Sequence, residues 1–315
     1  MEGRAAALGA GTVLNALATG TGSAFGLDVE TRATVELDPE ADAVDGAIAE
    51  DPAGDTALIE RGVALATDRW GDGEGGTVRT DSDVPLAAGL KSSSAAANAT
   101  VLATCDALGL TVGDAPADPT ATDPAAPGSA SADPAVDVTR LEACRLGVRA
   151  AREAGVTVTG AFDDATASML GGVCLTDNGE DRLRARDPVD WEVLVWSPPE
   201  RAYSADADVE RCGAVAPMAD LVADLAADGR YTEAMTVNGL AFSAALGFDT
   251  DPAVEAMPRA SGVSLSGTGP SVVAVADAAD PDADLDALAD LWADRPGTLR
   301  RTSTRNDGAY AGDSP

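Results

Sequence analysis

From Leu27 to Leu37 apolar and polar residues alternate one for one, the period of a strand with one buried face. Leu58, Ile59, Val63, Leu65 and Ala66 recur instead at helical spacing within residues 55–70, and Asp55 is placed to cap that helix. Residues 77–82 read as a strand, and the Ala-rich stretch 92–108 as a helix buried on most sides. A further helix is expected over 138–154, with Leu141, Cys144, Leu146 and Val148 apolar and Arg140, Glu142, Arg145, Arg149, Arg152 and Glu153 polar; a short β-branched stretch follows at 156–159. In the second half the pattern predicts strands near 172–175, 192–196, 272–276 and 298–304. It predicts helices near 206–228, 232–246 and 283–293, with a short one from Pro252. Near the start, residues 9–15 and 19–24 read as two glycine-rich turns. Residues 113–137 hold almost nothing that could be buried and read as a flexible insertion, and the tail from Asn306 reads as loose. No repeat of fixed period appears, which argues against solenoids and propellers.

Composition narrows the setting more than the activity. The formal charge of −32 comes from 53 acidic against 21 basic residues, spread along the whole chain. Such a surface repels nucleic acid and anionic membranes, and its self-repulsion suits a cytoplasm of very high salt. Aromatic residues are only 3% against 45% hydrophobic overall, so the core must be built from Ala, Val and Leu. Cys105, Cys144, Cys174 and Cys212 form no C-x-x-C pair and histidine is absent, which argues against the usual zinc sites. Scattered thiols, no hydrophobic signal core and no apolar run of membrane-spanning length point to a cytoplasmic protein. Without histidine, Ser-His-Asp and Cys-His catalysis are excluded, and a general base must be a carboxylate, a cysteine, a tyrosine or Lys91.

Lys91 is the only lysine of the 315 residues. It lies in Pro85-Leu86-Ala87-Ala88-Gly89-Leu90-Lys91-Ser92-Ser93-Ser94-Ala95, a small-residue loop running into the helix expected from Ser92. Glycine permits close backbone approach to an anion, a helix start offers unpaired N–H groups, and serines add donors, so the run reads as a phosphate loop. It is no Walker A loop, because Leu90 separates Gly89 from Lys91. Two further runs carry weight in its company. Gly267-Thr268-Gly269 stands between apolar segments and by itself could be an ordinary connecting turn. Asp163 and Asp164 follow Gly160 and precede Gly171-Gly172, where either could simply cap a helix.

Together the three runs resemble those of galactokinase, homoserine kinase, mevalonate kinase and phosphomevalonate kinase, the GHMP kinases, whose phosphate loop has the form Pro-x-x-x-Gly-Leu-Gly-Ser-Ser-Ala-Ala. Lys91 stands where that pattern has its third-position glycine. This departure, with Gly9-x-Gly11-Thr12-Val13-Leu14-Asn15 and the run 18–26, resembles the archaeal shikimate kinase branch. The resemblance implies an α+β fold of two domains, a ribosomal-protein-like N-terminal one over 1–158 and a ferredoxin-like C-terminal one over 159–305, with the nucleotide between them. It implies transfer from ATP, with Mg2+, to a small-molecule hydroxyl without a covalent enzyme intermediate. The branch implies the 3-hydroxyl of shikimate; a homoserine- or mevalonate-type kinase, or a nucleotide-binding module without catalysis, are the alternatives.

Carried over by position, Pro85 through Ala95 and Gly267, Thr268 and Gly269 would surround the phosphates, with Lys91 neutralising their charge. Ser93 and Glu153 would hold the metal, and Thr12, Asn15 and Ser23 would line the acceptor pocket. Glu153 precedes Asp164 by eleven positions and Gly171 follows it by seven, the family's spacings for a catalytic aspartate, while the neighbouring letters fit Asp163. Both stay candidates. An arginine should meet the substrate carboxylate, Arg259 and Arg4 being the ones considered.

Overall fold

The computed structural model describes residues 1–84, 89–114, 136–157, 160–200 and 207–312. Two long strands, β1 (Glu2–Leu14) and β2 (Thr21–Asp38), pair antiparallel through most of their length and form the spine of a seven-stranded sheet. The expected alternation over 27–37 falls inside β2. The glycines of residues 9–15 do not make a turn: they lie in β1, where small size serves packing. A methyl on Gly11 would come 2.4 Å from the Phe25 ring, and one on Gly9 would come 2.8 Å from Val29. The second glycine run likewise opens β2, and the reversal falls between the strands.

The outer half of β2 pairs with β4 (Gly75–Ser82), which takes β3 (Val44–Ile48) in parallel. The inner half pairs with β7 (Val173–Asp177), which forms a hairpin with β8 (Arg182–Asp187). Four helices cover one face of this sheet: α1 (Ala57–Trp70), α2 (Ser92–Ala107), α3 (Arg140–Glu153) and α4 (Phe162–Leu170). The layer between is mostly alanine, valine and leucine, and contact is close: a methyl on Gly3 of β1 would overlap the backbone of Ala103 and Ala107 in α2. Thr56, not Asp55, holds the N-cap position of α1, without a side-chain capping bond; the Asp55 carboxylate accepts from the Ala57 N–H. Thr139 caps α3 in a reciprocal capping box with Glu142.

The other face of the sheet meets a second unit. Its four-stranded antiparallel sheet has the order β10 (Gly262–Leu265), β11 (Val272–Asp277), β9 (Trp191–Ser197), β12 (Thr298–Ser303). Alternation sets its two faces. Val193, Val195, Val273 and Val275 join Val13, Phe25 and Leu27 of the first sheet in a core with α6 (Ala216–Ala227) and α7 (Tyr231–Leu246). Leu194, Trp196, Val272 and Ala274 face α8 (Asp251–Ala256) and α9 (Leu285–Trp292). The single helix expected over 206–228 is broken into α5 (Val209–Gly213) and α6, whose first turn contains Pro217. Proline lacks the N–H that a continuous helix would need there and fits a helix start instead.

Three sequence expectations need adjustment. The first sheet takes in β7 and β8, so the two sheets divide between Asp187 and Trp191 rather than at 158/159. The tail is tied down, since β13 (Tyr310–Ala311) pairs with Ala5 and Ala6 of β1 and Ala309 is buried. Strand β8 was not foreseen, because Arg182, Arg184 and Arg186 leave it little apolar character. Of the expected insertion, residues 115–135 lie outside the described residues; beside them β5 (Val112–Gly113) and β6 (Val138–Thr139) pair in parallel. Residues 158–159 of the β-branched stretch and 313–315 of the tail lie outside as well. All four cysteines are buried and free, and among the described residues no helix is long and apolar enough to cross a membrane.

Candidate active site

A cleft of about 540 Å³ opens where the starts of α2 and α4 meet the end of β1 and the 266–269 turn. Lys91 is the residue before α2 and adopts a left-handed backbone, φ 66°. That conformation turns the chain into the helix and leaves Ser92, Ser93 and Ser94 in its first turn, all three facing the cleft. No acidic side chain occupies this turn, so its N–H groups and the positive end of the helix dipole are open to an anion.

Gly89 has φ 77°, and a methyl on it would lie 2.2 Å from the Ser266 carbonyl. Only glycine fits, and the close approach ties the phosphate-loop run to the 266–269 turn: the Ser266 hydroxyl donates to the Gly89 carbonyl at 2.8 Å. Gly267 is held from the other side. Its N–H donates to Thr12 Oγ1 and its carbonyl accepts from Asn15 Nδ2, both at 2.8 Å. Leu90 is buried and its carbonyl accepts from the Ala10 N–H. Thus Thr12 and Asn15 of the first glycine-rich run, Gly89 and Lys91 to Ser94, and Gly267 and Thr268 converge on one cleft. Ala95 is buried behind it in α2, and Gly269 turns the loop away, close against Phe248. Pro85, Leu86, Ala87 and Ala88 lie outside the described residues.

Neither aspartate of the pair caps α4. Ala161, with φ 47°, holds the capping position, and Asp163 and Asp164 fall in the first helical turn. Asp164 faces the cleft and meets Lys91: Nζ lies 2.8 Å from Oδ1, with side-chain exposures of 8% and 15%. Asp163 also borders the cleft, but its carboxylate bonds inward. Its N–H donates to Asn178 Oδ1 at 3.1 Å and its Oδ1 accepts from Asn178 Nδ2 at 2.7 Å. Burial, and then the neighbouring Asp164 charge, push its carboxyl up to about 7, against the pull of Lys91 and the Asn178 bond.

Other expected residues are placed elsewhere. Glu153 is not among the residues lining the cleft; its two oxygens accept from Arg149 and Arg61, which hold its carboxyl below the usual range. Helical geometry gives the reason. Gly147, Val148 and Ala151 present one face of α3 to the cleft, and two residues beyond Ala151 the chain has turned about 200°. Ser23 is fully buried in β2 and also does not line the cleft. Arg4 pairs with Glu2 at the outer edge of β1, and Arg259 bonds the Glu255 carbonyl at the end of α8. Among the described residues no arginine lines the cleft.

The far wall was not foreseen. Ile48 at the end of β3 and Glu50 after it, Leu58 and Ile59 of α1, and Thr80 and Ser82 of β4 make a half-apolar recess. The signal for it was faint: a Pro/Gly/Asp turn, Asp51 to Asp55, between a strand and a helix. Asn178 was also missed, since Asn178-Gly179 reads as an ordinary hairpin turn.

Residues 57–117 match the family model described as "GHMP kinases N terminal domain". The chain is 59% identical over 309 residues to a shikimate kinase of Halobacterium salinarum, covering 98% of this chain and 99% of that one. It is 46% identical over 314 residues to a shikimate kinase of Methanosarcina mazei, covering 99% and 97%. Among solved structures, homoserine kinase from Cytophaga hutchinsonii superposes with a TM-score of 0.69 at 14% identity, covering 98% and 97%, a likeness of fold. The chain belongs to the GHMP kinases and, within them, to the archaeal shikimate kinases.

Proposed function

We propose that this chain transfers the γ-phosphoryl group of ATP to the 3-hydroxyl of shikimate, giving ADP and shikimate 3-phosphate. The acceptor is supported by the near-full-length similarity to shikimate kinases. The chemistry is supported above all by the Lys91–Asp164 pair set against the open start of α2. Phosphoryl transfer spreads negative charge over the moving oxygens and asks mainly for positioning and neutralisation. The N–H groups of the first turn, the serine hydroxyls and Lys91 supply donors at that place. Asp164, paired with Lys91, receives the acceptor's proton as the hydroxyl oxygen bonds to phosphorus and the bond to the departing ADP oxygen breaks. Asp163, its carboxyl raised by burial and the Asp164 charge and engaged by Asn178, fits a supporting place better than that of the base.

Mg2+ fits the donors present. Ser93 offers an exposed hydroxyl in the first turn of α2, an oxygen ligand of the kind magnesium takes alongside phosphate oxygens and water. Bound there, the ion neutralises phosphate charge. Among the described residues no cluster of three acidic or thiol groups forms a cage, which agrees with an ion arriving on the nucleotide. Thr12 and Asn15 would shape the acceptor end through the Gly267 turn they hold.

A coupled ADP-release assay in molar salt, with shikimate, homoserine and mevalonate offered separately, tests the acceptor. Turnover with shikimate alone is expected, and turnover only with another alcohol would reassign the chain to a sister kinase. Asp164→Asn should lower kcat by about 10²–10⁴-fold while ATP binding stays nearly intact. An unchanged rate would pass the role to Asp163. No nucleotide-dependent thermal shift in the parent protein would remove the kinase reading.

A further inference from the structure

Asn178 sits where β7 turns toward β8 and is 2% exposed. Its side chain makes three bonds. Oδ1 accepts from the Asp163 N–H and from Thr176 Oγ1, the latter at 2.8 Å, and Nδ2 donates to Asp163 Oδ1. A flipped amide would point its NH2 at an N–H and lose the carboxylate bond, so the contacts fix its orientation. The turn is itself held: the Asn178 N–H donates to the Gly20 carbonyl, and Arg152 reaches the Asn178 carbonyl while clasping Asp181 with two bonds.

We propose that Asn178 is a positioning residue for phosphoryl transfer: by gripping Asp163 at its N–H and its carboxylate, it keeps that carboxyl off Lys91 and leaves the lysine to Asp164. The proposal rests on the reading of Asp164 as the group at the acceptor hydroxyl. Two adjacent carboxyls share the first turn of α4 and one lysine stands opposite. If Asp163 swung toward Lys91, the charge that orients Asp164 would be divided. Its other oxygen is confined as well, because it lies against Gly22, where a methyl would come within 2.5 Å of Oδ2. The grip thus acts on a carboxyl boxed in on two sides, and through it on Asp164.

Few charged groups surround Asp163. Asp164 is on its own helix and Lys91 lies at the start of α2; Cys174 is on β7, and β2 presents Gly22. From α3, Arg145 stacks on Phe162 and Arg152 is committed to Asp181; Arg186 of β8 bonds carbonyls at the far end of α4. The direction of the pH effect follows. A carboxyl raised in the folded state binds more protons there than in the unfolded chain between about pH 4 and its folded value, so stability falls as pH rises through that window. The Asn178 N–H favours the ionised form, so losing it carries the fall to higher pH.

Asn178→Ala is therefore expected to lower kcat at least about tenfold with KM for ATP and shikimate within about threefold, the signature of an interaction used in the transition state. Its Tm deficit against the parent should widen between about pH 6 and 8. A folded Asn178→Ala with parental kcat, or with a loss in KM alone, overturns the proposal. Should that variant not fold, Thr176→Val decides: it keeps the shape and loses the hydroxyl that bonds Asn178 Oδ1 and, more weakly, the Gly22 carbonyl, and parental kcat there is equally fatal. If the parent itself does not turn over shikimate, the acceptor reading fails on its own. The Tm comparison then still tests the grip, and a deficit constant with pH overturns it.

Discussion

Lys91 occupies a backbone conformation that a lysine adopts at a cost of roughly 1 kcal/mol and a glycine at almost none. The family pattern has glycine there, so this chain accepts strain to place a cation 2.8 Å from Asp164. Two substitutions separate the components. Both Lys91→Ala and Lys91→Gly remove the charge and should lower kcat by about 10²–10³-fold. Lys91→Gly also relieves the backbone and should be the more stable of the two by about 1 kcal/mol in urea unfolding. Equal stabilities would show that φ is not held at 66° in solution, and a near-parental rate in either would remove Lys91 from the chemistry. Lys91 was legible in the sequence because it is unique and surrounded by small residues. Asn178 was not, because its importance depends on a contact fifteen residues away across a helix and a strand.

At the scale of elements, the cleft is made by two helix starts brought together: α2 presents its first turn to an anion, and α4 presents carboxylates beside it. The Ala-rich pattern located α2 to within a residue or so, whereas α4 was hinted at only by the reading of its aspartates as possible caps. Neither signal told what glycine does in each place. In β1 the glycines admit Phe25 and Val29, whereas Gly89 serves a left-handed turn against Ser266, and the letters alone look the same. The C-terminal segment shows the opposite error, a polar composition that nonetheless pairs. Tyr310 and Ala311 extend the sheet at β1, Ala309 donates to the Met169 carbonyl at the end of α4, and Gly312 bonds Arg4. Deleting residues 307–315 should therefore cost on the order of 2–4 kcal/mol, from a few backbone bonds and one buried side chain, read as a lowered urea midpoint. A parental midpoint would mean that these contacts contribute nothing to stability.

At the scale of the whole molecule, two features weaken the folded state in dilute buffer and act together. The three cores are filled largely with alanine and valine, so each buried residue removes less apolar area from water than leucine or phenylalanine would. The net charge of −32 adds repulsion that is longest-ranged when ionic strength is low. Arginines offset part of this by meeting several acids each: Arg305 pairs with Asp28, Glu30 and Asp307, and Arg32 with Glu30, Asp81 and Asp83. Salt weakens those pairs too, but exposed pairs are worth about 0–1 kcal/mol each, and the 53 acidic residues far outnumber the 21 basic ones. Repulsion should therefore dominate the response. Raising KCl from about 0.1 M to about 2 M shortens the screening length from roughly 10 Å to under 3 Å and should raise Tm by at least about 10 °C. Sulfate would stabilise by exclusion from the surface whatever the charge, so the chloride series is the discriminating one. A Tm that stays level or falls with KCl would show that the ion pairs outweigh the repulsion, and the acidic surface would then need an explanation other than salt.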